Sequence, residues 1–331
     1  MSTDSLGLRF VDSAMEARVR AGLQDVEQRL GGAVESDAPF VAEASRHLMN
    51  AGGKRFRPML VLVAAEFGDS TAPGVVTSAV GVELTHLASL YHDDVMDEAD
   101  LRRGAKSANA RWDNSVAILT GDFLFAQASE VIADLGPDAV RIQARTFARL
   151  VEGQIRETVG PQGGEDPLQH YLRVVADKTG SLISTSARYG AMMSGAGERV
   201  ETLLTEFGER IGSAFQLSDD VIDIASESGE SGKTAGTDLR EGVPTLPVLI
   251  ARTSDDPRDA RLLELLDSDL SDDARHAEAL ALLREHDALG QARAEVSRTA
   301  DEARKLLEEL PDNAARQALA GLCDMVVNRT A

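Results

Sequence analysis

Two stretches of this sequence run apolar for several helical turns and then end in the same acidic pattern. The first closes on HDDVMD, His92 to Asp97, and the second on SDDVID, Ser218 to Asp223. Along both, apolar residues recur at three and four, the spacing of one helix face. Helices this apolar are core helices rather than surface helices, and the chain must supply partners to bury them. It does so with more helices. The pattern predicts them over Ala79 to Ala99, Ser115 to Gly136, Asp138 to Gly160, Pro167 to Ser194, Gly197 to Ala225 and Pro244 to Arg252. From about Pro257 onward three or four shorter amphipathic helices follow. Gly-Pro pairs at 136–137 and 160–161 stop two of them. No alternating strand and no Pro- or Ser-rich linker interrupts the series. The expectation is an all-α chain, one domain over 1–331, with its motifs at about 40–250 and accessory helices at 251–331. One long loop is expected, Ala225 to Gly242, rich in Gly, Ser and charge.

On a helix Asp93 and Asp97 are neighbours, and Asp94 is turned from them by about 100°. Three like charges so close destabilise a helix unless a cation lies between them. The same holds for Asp219, Asp220 and Asp223. Sites made only of carboxylates suit hard divalent cations. Mg²⁺ foremost keeps several waters, takes one or two carboxylates and completes its shell with phosphate. The plainer alternative is two solvated acidic helix ends, which the duplication after two apolar runs disfavours. Neither cluster has the spacing of an EF-hand loop.

Composition limits the partners. With 34 basic and 55 acidic residues the formal net charge is −21, which argues against nucleic acid and anionic membranes as partners. The N-terminal MSTDSLGLRF does not read as a signal peptide, and no uninterrupted apolar run approaches a membrane span. A single cysteine, Cys323, excludes an internal disulfide and a Cys-based zinc site, and suits a reducing cytoplasm. Against this acidity the basic clusters stand out. GGKRFRP (Gly52 to Pro58) holds Lys54, Arg55 and Arg57, and LRRG puts Arg102 and Arg103 just beyond the first acidic cluster. Lys178 lies in DKTGSLIS and Lys233 in SGKTAG. Basic side chains beside Gly-rich turns can cradle phosphate, although each alone also fits a surface ion pair. GESGKT (Gly229 to Thr234) is not a P-loop: Glu227 stands where the first glycine would be, and no strand precedes it.

Taken together, GGKRFRP, DDVMDEADLRRG, GDFLFAQA, KTGSLI, FQLSDDVIDI and GKTAGTDLREGVPTLPV resemble the trans-isoprenyl diphosphate synthases, or polyprenyl synthetases, in order and spacing from about residue 50 to 250. The resemblance implies a bundle of antiparallel helices around a deep central cavity, in a homodimer. It implies Mg²⁺-dependent condensation of an allylic diphosphate, such as farnesyl or geranylgeranyl diphosphate, with isopentenyl diphosphate. Asp93, Asp94 and Asp97 would bind Mg²⁺ at the allylic diphosphate. Asp219, Asp220 and Asp223 would hold a further ion, about three in all. Arg102, Lys178, Thr179, Gln216 and Lys233 would contact the allylic diphosphate, and Lys54, Arg57, His86 and Arg103 isopentenyl diphosphate. On its own, His86 would equally suit a hydrogen-bonded core position.

If Asp93 sits at the diphosphate, the product tail should run back along the same helix. One turn rises about 5.4 Å, comparable to one isoprene unit. The positions met on the way are Ser89, Thr85 and Gly81, with Ala88 beside them, and all are small. In the family a large aromatic at the positions of Ala88 and Ser89 stops the product early. The expectation here is roughly six to ten units, about C30–C50, suited to a quinone tail or lipid carrier. Close packing of helices through small side chains is the competing explanation.

Overall fold

The computed structural model describes residues 10–226 and 235–330. In chain order its helices are α1 (Ser13–Ala33), α2 (Pro39–Asn50), α3 (Phe56–Ala65), α4 (Pro73–Met96), α5 (Ala108–Arg111), α6 (Asn114–Ala133), α7 (Pro137–Val159), α8 (Pro167–Val175), α9 (Ser181–Met193), α10 (Glu198–Ala225), α11 (Thr237–Arg240), α12 (Leu246–Ala251), α13 (Ala260–Leu266), α14 (Asp273–Glu285), α15 (Asp287–Leu307) and α16 (Ala314–Asn328). The chain is all-α, as its periodicity demands. Aspartates start many of these helices. Asp12, Asp113, Asp166 and Asp272 each accept backbone N–H bonds in the first turn of the helix that follows. Part of the acidic excess is therefore helix capping, where a carboxylate also meets the positive end of the helix dipole.

The described residues group into two compact units. The first comprises the chain through Ala148, then Leu182–Gly208 and Leu307–Leu319; the second comprises Arg149–Ser181, Glu209–Leu306 and the residues from Ala320 on. At the centre of the first unit α4 packs along α6 and against α3. Every residue of α3 from Pro58 to Ala65 is buried, so this helix is core on all sides. Small residues let α4 and α6 approach closely. A Cβ at Gly81 would collide with Ile132, and one at Gly121 would collide with His92. Helix α6 has the length and hydropathy of a membrane span, yet it packs on α4 through Ala117, Gly121, Leu124 and Ala128. Its other side leaves Ile118 and Leu119 exposed.

Two local features differ from the sequence expectation. The helix expected over Pro167 to Ser194 is interrupted by a π-helical turn at Ala176–Gly180, which carries Lys178 and Thr179. Periodicity cannot register one widened turn, and such turns gather at functional sites. The second feature is a two-residue hairpin, β1 (Leu101–Arg102) paired with β2 (Ala105–Lys106). Its two central residues, Arg103 and Gly104, both have positive φ, 55° and 76°. That is the backbone of a type I′ turn; glycine accepts it freely and arginine does not.

Candidate active site

The first aspartate cluster closes α4, with Asp97 as its C-cap. Asp94 is fully buried and accepts a hydrogen bond from Arg102 Nε at 2.5 Å through Oδ1. Arg102 also lies 3.7 Å from Asp97. The second carboxylate oxygen of Asp94, Oδ2, is buried without a hydrogen-bond partner. An unpartnered buried carboxylate oxygen is costly, and it is free to accept a donor or a cation. Burial accordingly pushes the Asp94 carboxyl above the usual carboxylate range, with the Arg102 guanidinium pulling the other way.

The hairpin turns consecutive arginines to different tasks. Arg102 meets the aspartates, whereas Arg103 donates to the carbonyls of Leu48 (3.2 Å) and Gly52. Gly53 makes this possible, because a Cβ there would strike the guanidinium groups of both Arg103 and Arg55 at 2.8 Å. Around this turn lie Arg57 and His86. Arg57 forms no ion pair among the described residues, and its Nε is buried without a partner. Burial, aided by the charge of Arg103, lowers its pKa to about 10, so it still carries its charge at neutral pH. Burial and the charges of Arg57 and Arg103 hold His86 well below the usual histidine range, so its ring is neutral at pH 7. This concentrates positive charge and an unsatisfied donor in a chain of net charge −21. Exposed Lys54 is near Arg57 in sequence. Arg55, the third basic residue of that segment, does other work. Only 3% exposed, it pairs with Glu27 and, at 3.1 Å, with Glu83, anchoring the start of α3.

The second cluster lies on α10, in the second unit. Asp220 is 3% exposed; it accepts hydrogen bonds from the Tyr171 hydroxyl, from Gln216 Nε2 at 3.3 Å and from the Leu246 N–H at 3.2 Å. Burial raises its pKa to about 7 against the opposing pull of those donors. Gln216 in turn accepts from the Thr179 hydroxyl at 3.0 Å. Four elements, the π turn, α8, α10 and the start of α12, are thereby tied to one carboxylate. Asp223 accepts from the N–H groups of Thr237 and Asp238 at 3.1 and 3.2 Å, and so holds the start of α11. Asp219 pairs with Arg329. Lys178 pairs with Glu157 at 2.5 Å. Lys233 lies outside the described residues.

Within the first unit, then, Asp93, Asp94, Asp97, Arg102, Arg103, Arg57 and His86 come together around one hairpin. Within the second, Thr179, Gln216 and Asp220 form one hydrogen-bonded chain. Among the described residues no group of three or more histidine, cysteine, aspartate or glutamate side chains is placed to hold a metal ion. Tyr171 and Arg329 were not foreseen. Each meets its aspartate across a long sequence separation, 49 and 110 residues, and neither stands in a local pattern.

The polyprenyl synthetase family model matches residues 38–283, most of the chain. This chain belongs to that family. A nonaprenyl diphosphate synthase of Mycobacterium tuberculosis is 49% identical over 324 residues, spanning 98% of this chain and 97% of the relative. Among solved structures, geranylgeranyl pyrophosphate synthase from Corynebacterium glutamicum, complexed with calcium and isoprenyl diphosphate, superposes with a TM-score of 0.89 at 45% identity, covering 98% of this chain and all of that one. A decaprenyl diphosphate synthase from Rhodobacter capsulatus gives 0.87 at 35% identity over 96% and 99%. As a polyprenyl synthetase the chain is a prenyltransferase with the isoprenoid synthase fold. The likeness extends beyond the motif region to the termini, which the sequence motifs alone did not reach.

Proposed function

We propose that this polyprenyl synthetase adds isopentenyl diphosphate repeatedly, with trans geometry, to an allylic diphosphate such as farnesyl or geranylgeranyl diphosphate. The product is a polyprenyl diphosphate of roughly six to ten units, for a quinone side chain or lipid carrier. The observation that carries the reading is the hairpin at 101–106. One of its arginines turns to the aspartates and the next to the carbonyls of Leu48 and Gly52 beside Arg57, which supports separate receptors for two diphosphates. An enzyme that only ionises and cyclises one diphosphate needs no second receptor.

The donor set fits the cation the family requires: six carboxylates, one with an orphaned buried oxygen. Asp93, Asp94 and Asp97 in the first unit, and Asp219, Asp220 and Asp223 in the second, would hold Mg²⁺, which would supply positive charge to a leaving diphosphate. The remaining work belongs to side chains. Arg102, Lys178, Thr179, Gln216 and Lys233 orient the allylic diphosphate. Lys54, Arg57, Arg103 and neutral His86 fix the diphosphate of the acceptor. The allylic C–O bond then breaks, the acceptor double bond forms the new C–C bond, and a proton passes to the departing pyrophosphate. Preorganised positive charge, rather than a nucleophile, supplies the catalysis.

The test is incubation with Mg²⁺, isopentenyl diphosphate and farnesyl diphosphate, measuring pyrophosphate release and the mass of the extracted prenol. Linear prenols of 30 to 50 carbons, about six to ten units, are expected. A cyclic hydrocarbon, or no pyrophosphate, would overturn the reading. The reading also includes a cytoplasmic homodimer. Ile118 and Leu119, 42% and 66% exposed on an otherwise apolar helix, suit burial against a second copy. Leu119→Glu is expected to shift the protein to a monomer in light scattering coupled to size exclusion. A dimer that persists would place the interface elsewhere.

A further inference from the structure

Arg329 stands immediately after α16, in a segment fixed by the bond of its own N–H to the Met325 carbonyl and by buried Thr330. Its guanidinium lies over the ring of Phe215, 4.5 Å from the centroid, and donates through Nη2 to Asp219. Phe215 and Asp219 are one turn apart on α10, so stacking and ion pair hold the same group from the same face. The pair is not a fully satisfied structural salt bridge. Arg329 Nη1 is buried and has no hydrogen-bond partner among the described residues. Several other arginines of the chain pair with carboxylates of their own helix, as Arg20 does with Glu16 and Arg29 with Asp25. This one puts a tethered cation on the first carboxylate of the second aspartate cluster.

We propose that Arg329 competes with the divalent cation for Asp219 and thereby sets how much metal the second cluster requires. The inference rests on the metal role assigned above to Asp219. A guanidinium held on a carboxylate repels a divalent ion brought to the same carboxylate and weakens its binding. Metal binding at Asp219 therefore works against the charge of Arg329, which the Phe215 ring and the Asp219 bond hold in place. Arg329 is thus a positioning residue; it need not touch substrate.

The test measures metal binding directly. Mn²⁺ titrations followed by electron paramagnetic resonance, with Mg²⁺ as competitor, would be run on the full chain, on Arg329→Gln and on Arg329→Lys. Removing the positive charge in Arg329→Gln should tighten one class of site by on the order of tenfold. Arg329→Lys keeps the charge and should remain close to the parent protein. The gain should vanish when Asp219→Asn is added to Arg329→Gln, which separates this site from the general acidity of the surface. In parallel, the Mg²⁺ concentration for half-maximal turnover should fall in Arg329→Gln at unchanged thermal stability. Unchanged or weaker Mn²⁺ binding in Arg329→Gln would overturn the proposal, as would a gain that survives Asp219→Asn. Absence of prenyl transfer in the parent protein would instead overturn the proposed function, because the metal titration does not depend on turnover.

Discussion

Replacing Asp94 by asparagine is expected to lower kcat by on the order of a thousandfold without unfolding the protein. Asparagine has the same shape, so the buried position at the end of α4 stays filled. What disappears is negative charge on a side chain whose Oδ2 has no protein partner. Arg102 keeps Asp97 as a neighbour at 3.7 Å. The effect on stability runs the other way. The Asp94 pKa is raised in the folded state, chiefly by burial. The stability this group contributes is present below its unfolded pKa and is lost as pH rises through the folded one. At neutral pH an ionised Asp94 is therefore a burden on the fold, and the neutral variant should melt at the same temperature or higher. Steady-state turnover and thermal melts at pH 7.5 check both halves. Full turnover in Asp94→Asn would remove Asp94 from the reaction, and a large drop in melting temperature would make its role structural.

This opposition explains which parts of the site could be read in the sequence. The two aspartate clusters lie on regular helices, where identity and spacing alone place side chains on a face. The same is true of Gln216, one turn before Asp220 on α10. The sorting of Lys54, Arg55 and Arg57 could not be read. It depends on Glu27 and Glu83, which lie 28 residues away on either side and reach Arg55 only through tertiary packing. The π turn under Lys178 and the positive φ of Arg103 are imposed by what surrounds them, against local preference. Local rules fail where the chain is strained, and those places carry charged residues of the candidate site. Tyr171 and Arg329 illustrate the other limit: a single polar residue on a helix, or just past its end, carries no mark of a partner far away in sequence.

The product tail offers the sharpest quantitative test, because structure separates positions that looked equivalent. Ala88 shares a helix face with Gly81 and His92, and that face meets α6: Gly81 lies against Ile132, and His92 reaches the Ile118 carbonyl at 3.1 Å. Its small size is required by helix packing, so Ala88→Phe is expected to damage the fold. Ser89 lies about 100° further round, nearer the direction of Asp93. One turn back, Thr85 lines a small cavity of the first unit together with Gln143, Thr146, Thr185 and Tyr189. Gly81, Val82, Ile132 and Leu182 complete its mostly apolar lining, and two polar contacts lie beside it. Gln143 Nε2 lies 3.4 Å from the Thr85 hydroxyl, and the hydroxyls of Thr146 and Thr185 are 2.6 Å apart. A prenyl tail growing past Ser89 along this face would meet Thr85 next and then this small cavity. Ser89→Phe should therefore stop elongation at about three or four units, and Thr85→Phe about one unit later, because one helical turn rises about 5.4 Å. Mass spectra of the prenols from both variants measure that difference. Equal product lengths from the two, or parent-length products from an active Ser89→Phe, would show that the tail follows another wall. A one-unit step between them would mean that α4 itself meters the chain, turn by turn, from the aspartates to the Thr85 cavity.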